Sequence, residues 1–103
     1  MKAHLILPIL ALREGKSGLK SFEKYIDLDI IPREGDAVFL TSHKSMNFRS
    51  KVDSLTWNLD AKNKESAGLP MVIISLGFIY KWEDVSWDEV EKHLTEEGWE
   101  KLL

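Results

Sequence analysis

The chain has 103 residues, a formal net charge of −3, 44% hydrophobic residues, 30% charged residues and no cysteine. A chain of this length and apolar content folds as one domain around one core, so we treat residues 1–103 as a single domain. The lack of cysteine excludes disulfides, thiolate catalysis and every metal site that needs a cysteine ligand.

The chain opens with an apolar segment that we interpret as a strand over residues 3–12. Apolar residues occupy both of its faces, which predicts burial on both sides. Pro8 predicts an edge position or a bulge, because proline donates no backbone hydrogen bond. Arg13 and Glu14 end the apolar run too early for a membrane span. They also stand where a signal peptide needs small residues for cleavage, so we expect a cytoplasmic protein.

The clearest strand pattern begins at Phe22, where polar and apolar residues alternate as far as Ile30. This alternation is typical of a strand with one buried face and one wet face. Pro32 and Gly35 then favour a tight reversal, in which we predict a positive φ at Gly35. A third strand, over residues 37–41, follows at once.

Residues 48–59 are predicted to form a fourth strand whose alternation changes phase along its length. The inward candidates are even-numbered before the change and odd-numbered after it, so we predict a bulge near Asp53 and Ser54. After a long polar loop, residues 71–82 are predicted to form a fifth strand that is apolar on both faces. Gly77 predicts a kink within it.

A helical period replaces the strand period after the fifth strand and predicts a C-terminal helix over residues 86–97. Ser86, with a glutamate three residues further on, forms a capping box at its start. Gly98 fits the position just past the end of the helix, where Trp99 can fold back on the last turn. Residues 98–103 are expected to form a short tail.

Five strands followed by one helix predict a mainly β (α+β) protein. We expect residues 3–82 to form a small five-stranded antiparallel barrel, SH3-like or OB-like, with the C-terminal helix packed on it. Both barrel topologies fit the order of the elements. A curled sheet packed on the terminal helix is the alternative.

Residues 31–38 (IPREGDAV) place a proline–glycine–aspartate turn between two strands, and the strand over residues 48–59 then carries Val52 and Trp57. This pattern resembles short hypothetical bacterial proteins that have an SH3-like β-barrel, and the resemblance covers residues 22–82. It implies an SH3-like barrel and brings no catalytic residue with it.

No side chains in the sequence form a convincing catalytic or metal site. The Gly-Lys-Ser sequence at residues 15–17 lacks the upstream glycine of a phosphate-binding loop, and the three histidines fall on three different elements. Asp27 and Asp29 stand on a wet strand face without the hydrophobic pocket that acid–base catalysis favours. We therefore predict a protein that is not an enzyme and that has no metal and no cofactor.

Charge is distributed unevenly along the chain. Residues 83–103 hold eight acidic and two basic residues, a formal charge of −6, which leaves +3 for residues 1–82. The acidic helix can be a solvated cap on the barrel, or it can dock on a basic partner, on the basic face of the fourth strand or on a second copy. Trp87, Trp99 and Glu91 are the candidate partner-binding residues, since tryptophans often anchor interfaces.

These observations favour a non-enzymatic protein-interaction module with an unknown protein partner, such as the accessory proteins of bacteria and mobile elements. An apolar first strand at a sheet edge also favours a homodimer, because such an edge needs a cover.

The alternative function is nucleic-acid binding by a basic patch on the barrel. Its candidate residues are Arg33, Lys44, Arg49 and Lys51. Phe48 points away from the last two of these, so we expect its ring in the core. The overall acidity of the chain disfavours a strong phosphate partner.

Overall fold

The structure is a computed structural model that describes residues 1–11, 18–43, 46–59, 70–81 and 84–102. Several features of the sequence analysis lie outside these residues, namely Arg13, Glu14, the Gly-Lys-Ser sequence at 15–17, Lys44 and the polar loop over 60–69. The described chain forms seven strands and one helix. They are β1 (Lys2–Ala11), β2 (Leu19–Asp27), β3 (Ala37–His43), β4 (Met46–Asn58), β5 (Met71–Leu76), β6 (Ile79–Lys81), α1 (Trp87–Glu96) and β7 (Glu100–Lys101).

All seven strands belong to one sheet with the order β3-β4-β5-β1-β2-β7, and β6 pairs with β1 beyond the end of β5. The prediction of a mainly β fold with a C-terminal helix is confirmed. The predicted count of five strands is wrong, since β5 and β6 divide the fifth strand and β7 adds another. The predicted antiparallel sheet is also wrong, because β1 pairs in parallel with β5 and β6.

The sheet curls but does not close into the predicted barrel. Among the described residues, β3 ends the sheet on one side and pairs with neither β2 nor β7 on the other. The physical reason lies at the C-terminus, where residues expected to form a tail instead pair as β7 with Phe22 and Glu23 of β2. That edge of β2 is the one β3 would need for closure. The molecule is therefore a half-barrel, as in the curled-sheet alternative.

β1 lies in the middle of the sheet, so the predicted edge position of this strand is wrong. Backbone hydrogen bonds join Met1 to Leu28 at one end of the β1–β2 ladder and Ala11 to Gly18 at the other. Because hydrogen-bonded pairs recur every second residue, the N–H and C=O groups of the odd-numbered β1 residues point towards β2. Pro8 therefore turns its nitrogen towards β5 and β6. Opposite it, the ladder is interrupted at Gly77 and Phe78, between the pairs that β1 makes with Ser75 and Ile79. The missing proline N–H falls at this gap.

Two irregularities bend the sheet. The β4–β5 register shifts between Val52 and Ser54, which confirms the predicted bulge, and the β3–β4 register shifts between Phe39 and Thr41. Bulges increase local twist and help a small sheet to curl. Beyond the first bulge, Trp57 is 49% exposed, although the alternation predicts an inward position.

The helix covers one end of the concave face of the sheet, with Val90 and Leu94 buried in the core. Its boundaries confirm the predicted capping. The Ser86 side chain accepts a hydrogen bond from the backbone N–H of Glu89 at 3.2 Å. At the other end, Gly98 has a φ of 90°, and the Trp99 N–H donates to the Leu94 carbonyl at 2.8 Å in a Schellman arrangement.

The turn between β2 and β3 has the predicted positive φ at Gly35, at 87°. The Gly35 N–H donates to the Val52 carbonyl at 2.8 Å, and the Asp36 carboxylate accepts from the Arg33 N–H at 2.8 Å. These bonds fix the turn against β4, so the backbone cannot relax freely when a side chain is added.

We expect Gly35→Ala to lower the free energy of unfolding by about 1–2 kcal/mol. Nothing lies within 4 Å of the added Cβ, so this loss comes from the left-handed backbone alone. Gly77→Ala is the control, because its Cβ meets only ordinary contacts, 3.5 Å from the Ser50 Oγ, without a left-handed φ. Urea unfolding measures both variants. Equal midpoints for the two would contradict the assignment.

Candidate functional site

An apolar groove of about 320 Å³ opens at the seam between β2 and β3, where the sheet does not close. Nine of the ten described residues that line it are apolar. The lining consists of Leu5, Lys24, Ile26, Leu28, Pro32, Val38, Phe39, Leu40, Ile74 and Trp99.

The floor of the groove is the hydrophobic core itself. Leu5, Ile74 and Trp99 are buried core residues that line it, whereas Val38 on β3 is half-buried and Phe39, at the rim, is 57% exposed. The open seam therefore leaves part of the barrel interior accessible from outside. Apolar surface of this kind gains free energy when it is removed from water.

The one charged residue in the lining is held by the end of the helix. The Lys24 Nζ donates to the Glu97 backbone carbonyl at 2.5 Å and lies 6.0 Å from the centre of the Trp99 ring. A cation at this position satisfies a terminal carbonyl and the negative end of the helix dipole. Lys24 therefore ties β2 to the C-terminal end of α1.

The turn segment at one end of the groove is acidic. Residues 26–38 carry four carboxylates and one guanidinium, and all five side chains are exposed. They are Asp27, Asp29, Glu34, Asp36 and Arg33. This end of the groove therefore favours a cationic neighbour over an anionic one.

The three predicted partner-binding residues do not form one exposed surface. Trp99 is 4% exposed and belongs to the floor of the groove. Trp87 is half-buried, with the Lys20 Nζ 5.0 Å from its ring centre. Glu91 accepts from the Lys20 Nζ at 2.9 Å and lies 3.1 Å from the Lys101 Nζ. Hydrogen bonds from these two ammonium groups lower the pKa of Glu91 below its usual range. Trp87 and Glu91 thus attach the helix to its own sheet.

Two of the four predicted nucleic-acid-binding residues share one exposed face of β4, namely Arg49 and Lys51. Arg33 lies in the β2–β3 turn, and Lys44 lies outside the described residues. Phe48 is buried, as expected.

The sequence analysis missed two exposed aromatic rings beside this basic face. Phe39 is 57% exposed and Phe78 is 56% exposed. The Arg49 guanidinium lies 5.8 Å from the Phe39 ring centre, and Phe78 lines a shallow cavity with Arg49 and Lys51. The alternation along β3 could have predicted the exposure of Phe39. This residue lies on the same strand face as Ala37, opposite the apolar face that carries Val38.

Two histidines that are far apart in the sequence meet between the helix and the sheet. The rings of His43 and His93 stack with their centres 4.8 Å apart. The His93 Nε2 lies 3.0 Å from the Thr41 Oγ1, and the His43 Nε2 lies 3.6 Å from a Glu89 carboxylate oxygen. Within the described ranges, no three histidine or acidic side chains form a group that could hold a metal ion. These contacts join α1 to β3.

Comparison with protein-family models, with curated proteins and with solved structures finds no match for this chain. In the described part of the chain, no helix combines the length and the apolar character that crossing a membrane requires. Function must therefore be inferred from the residues of the site.

The lowered pKa of Glu91 predicts a pH-dependent contribution to stability. The ion pairs stabilise the fold above the ordinary glutamate pKa of 4.5, and this contribution is lost as the pH falls through the lowered value in the folded protein. We expect Glu91→Gln to lower the free energy of unfolding by up to about 1 kcal/mol at neutral pH, and by less in acid. Urea unfolding across pH tests this. Glu96→Gln, an exposed change on the same helix, is the control, and it should change the free energy of unfolding little at neutral pH.

Proposed function

We propose that this protein is a non-enzymatic protein-interaction module that binds its partner in the groove between β2 and β3. One observation carries the proposal: core side chains form the floor of a groove that is open to solvent and almost entirely apolar. Burying such a surface contributes about 25 cal/mol per Å² of apolar area, before the entropic costs of association. A cytoplasmic accessory role in bacteria or mobile elements fits this proposal.

We propose the groove as the binding site in place of the helix surface that the sequence predicted. Trp87 and Glu91 are engaged with lysines of their own chain, so a partner would have to displace those contacts. Trp99 stays in the proposal, because its ring lines the groove. Phe39 joins it as the exposed aromatic residue at the rim.

A display library of random peptides of about ten residues, the length of a long strand, tests the proposal. We expect selected peptides to shift the amide NMR resonances of residues 24–28 and 37–40 in the native protein. Phe39→Ala should weaken their binding at least about tenfold, because it removes the rim of the groove. Phe78→Ala is the matched control, since it removes an equally exposed ring outside the groove. A selection without binders, or equal effects of the two variants, would contradict the proposal.

Nucleic-acid binding is the second candidate, and the exposed rings of Phe39 and Phe78 beside Arg49 and Lys51 favour it. Basic residues track a phosphate backbone, while exposed aromatic rings stack on bases. The predicted homodimer was argued from an edge position of the first strand, but β1 lies inside the sheet. We therefore expect a monomer, and sedimentation equilibrium tests this.

Fluorescence polarisation with single- and double-stranded oligonucleotides, at low and high salt, tests the second candidate. We expect binding at low salt that falls steeply with added salt, and that weakens in the double variant Arg49→Ala/Lys51→Ala. Phe78→Ala should weaken binding of the single strand more than that of the duplex, because only unpaired bases stack freely. The absence of binding at low salt would exclude this function.

A further inference from the structure

We infer that the partner segment enters the groove as an extended strand, with alternating apolar side chains and flanking lysine or arginine residues, and adds to the outer edge of β3. This inference rests on the proposed binding of a partner in the groove. It goes further by naming the conformation and the charge of the occupant.

The backbone of β3 provides the pairing edge. Val52 exchanges hydrogen bonds with the segment before β3: its N–H donates to Asp36 at 2.9 Å and its carbonyl accepts from Gly35 at 2.8 Å. Hydrogen-bonded pairs recur every second residue in an antiparallel ladder, so the N–H and C=O groups of Val38 also point towards β4. The N–H and C=O groups of Ala37 and Phe39 point away from β4. β3 is the last strand on its side of the described sheet. An extended segment can therefore continue the ladder there.

The groove fits the side chains of such a strand. Val38 and Leu40 point from β3 into the groove, and Lys24 and Ile26 point into it from β2. A strand lying along β3 turns every second side chain towards these walls and towards the core floor. Its other side chains lie on the convex face beside the Phe39 ring. A segment whose apolar residues alternate with polar ones therefore fits this site, whereas an amphipathic helix, whose apolar residues recur every three or four positions, does not.

The charges near the groove favour basic residues beside the apolar part of the bound segment. Four exposed carboxylates and one guanidinium lie on residues 26–38, which form one end of the groove, and the lysine of the lining is already bonded to the helix end. An incoming strand with lysine or arginine next to its apolar residues meets complementary charge at this end. An acidic flank at this end meets repulsion, whereas the basic residues Arg49 and Lys51 lie on the other side of β3, on β4.

Backbone methylation of the library-selected peptides tests strand addition. N-methylation of the alternate amides that face β3 should lower affinity at least about tenfold, because it removes the ladder hydrogen bonds and blocks the close approach of the strands. Methylation of the intervening amides should cost less. If both sets stay within about twofold of the parent peptide, the segment does not pair as a strand and the inference is overturned. The proposed function survives that result as long as Phe39→Ala still weakens binding at least about tenfold.

Charge variants test the flanks. The double variant Asp29→Asn/Glu34→Gln should weaken binding of the selected peptides about fivefold and reduce its salt dependence. Asp88→Asn/Glu96→Gln removes the same charge from two exposed positions of α1 and should change affinity little. Selected peptides without basic flanks, or equal effects of the two double variants, would overturn this part of the inference.

Sedimentation equilibrium of the protein alone tests whether a second copy of this chain, and not a separate partner, occupies the groove. We expect a monomer mass near 11.9 kDa at micromolar concentration. A dimer that Phe39→Ala dissociates would assign the groove to the second copy and overturn the inference of a separate partner segment.

Discussion

The pairing of β7 with the outer edge of β2 is the constraint on which the rest of the structure depends. Among the described residues, two pairs make this ladder, Phe22 with Lys101 and Glu23 with Glu100, and they occupy the edge where a closed barrel would bring β3. The sheet consequently ends in two separate edges. The groove and its core floor lie next to this ladder, at the seam where β2 and β3 do not pair.

The helix end places β7 on that edge. The left-handed turn at Gly98 reverses the chain directly after α1, and Trp99 then enters the core. The next residues emerge beside β2, where the Leu102 N–H donates to the Ser21 carbonyl at 2.8 Å. A few local preferences, namely a cap, a glycine and a buried tryptophan, thus determine the long-range architecture of the seam.

The local features of this fold were predictable because each depends on neighbouring residues. Ser86 and Gly98 mark the ends of a helix through hydrogen bonds within one or two turns, and the phase change at Asp53 requires a bulge wherever the strand lies. The parallel pairing of β1 and β5 was not predictable in this way, since alternation is the same in parallel and antiparallel strands. β7 is too short to show any period. The groove depends on the β1–β5 pairing and on β7, neither of which the local sequence reveals. The sequence could therefore predict only that residues of its walls, such as Val38 and Ile26, belong to an apolar strand face.

The parallel ladder between β1 and β5 has a consequence for how the chain folds. It joins Ala3 to Val72, so the central strand must wait for a neighbour about seventy residues away along the chain. During synthesis β1 and β2 can pair early, whereas the other edge of β1 stays unpaired until β5 has left the ribosome. With one edge of the apolar strand β1 unpaired until then, assembly of the sheet depends on the rate at which this long loop closes.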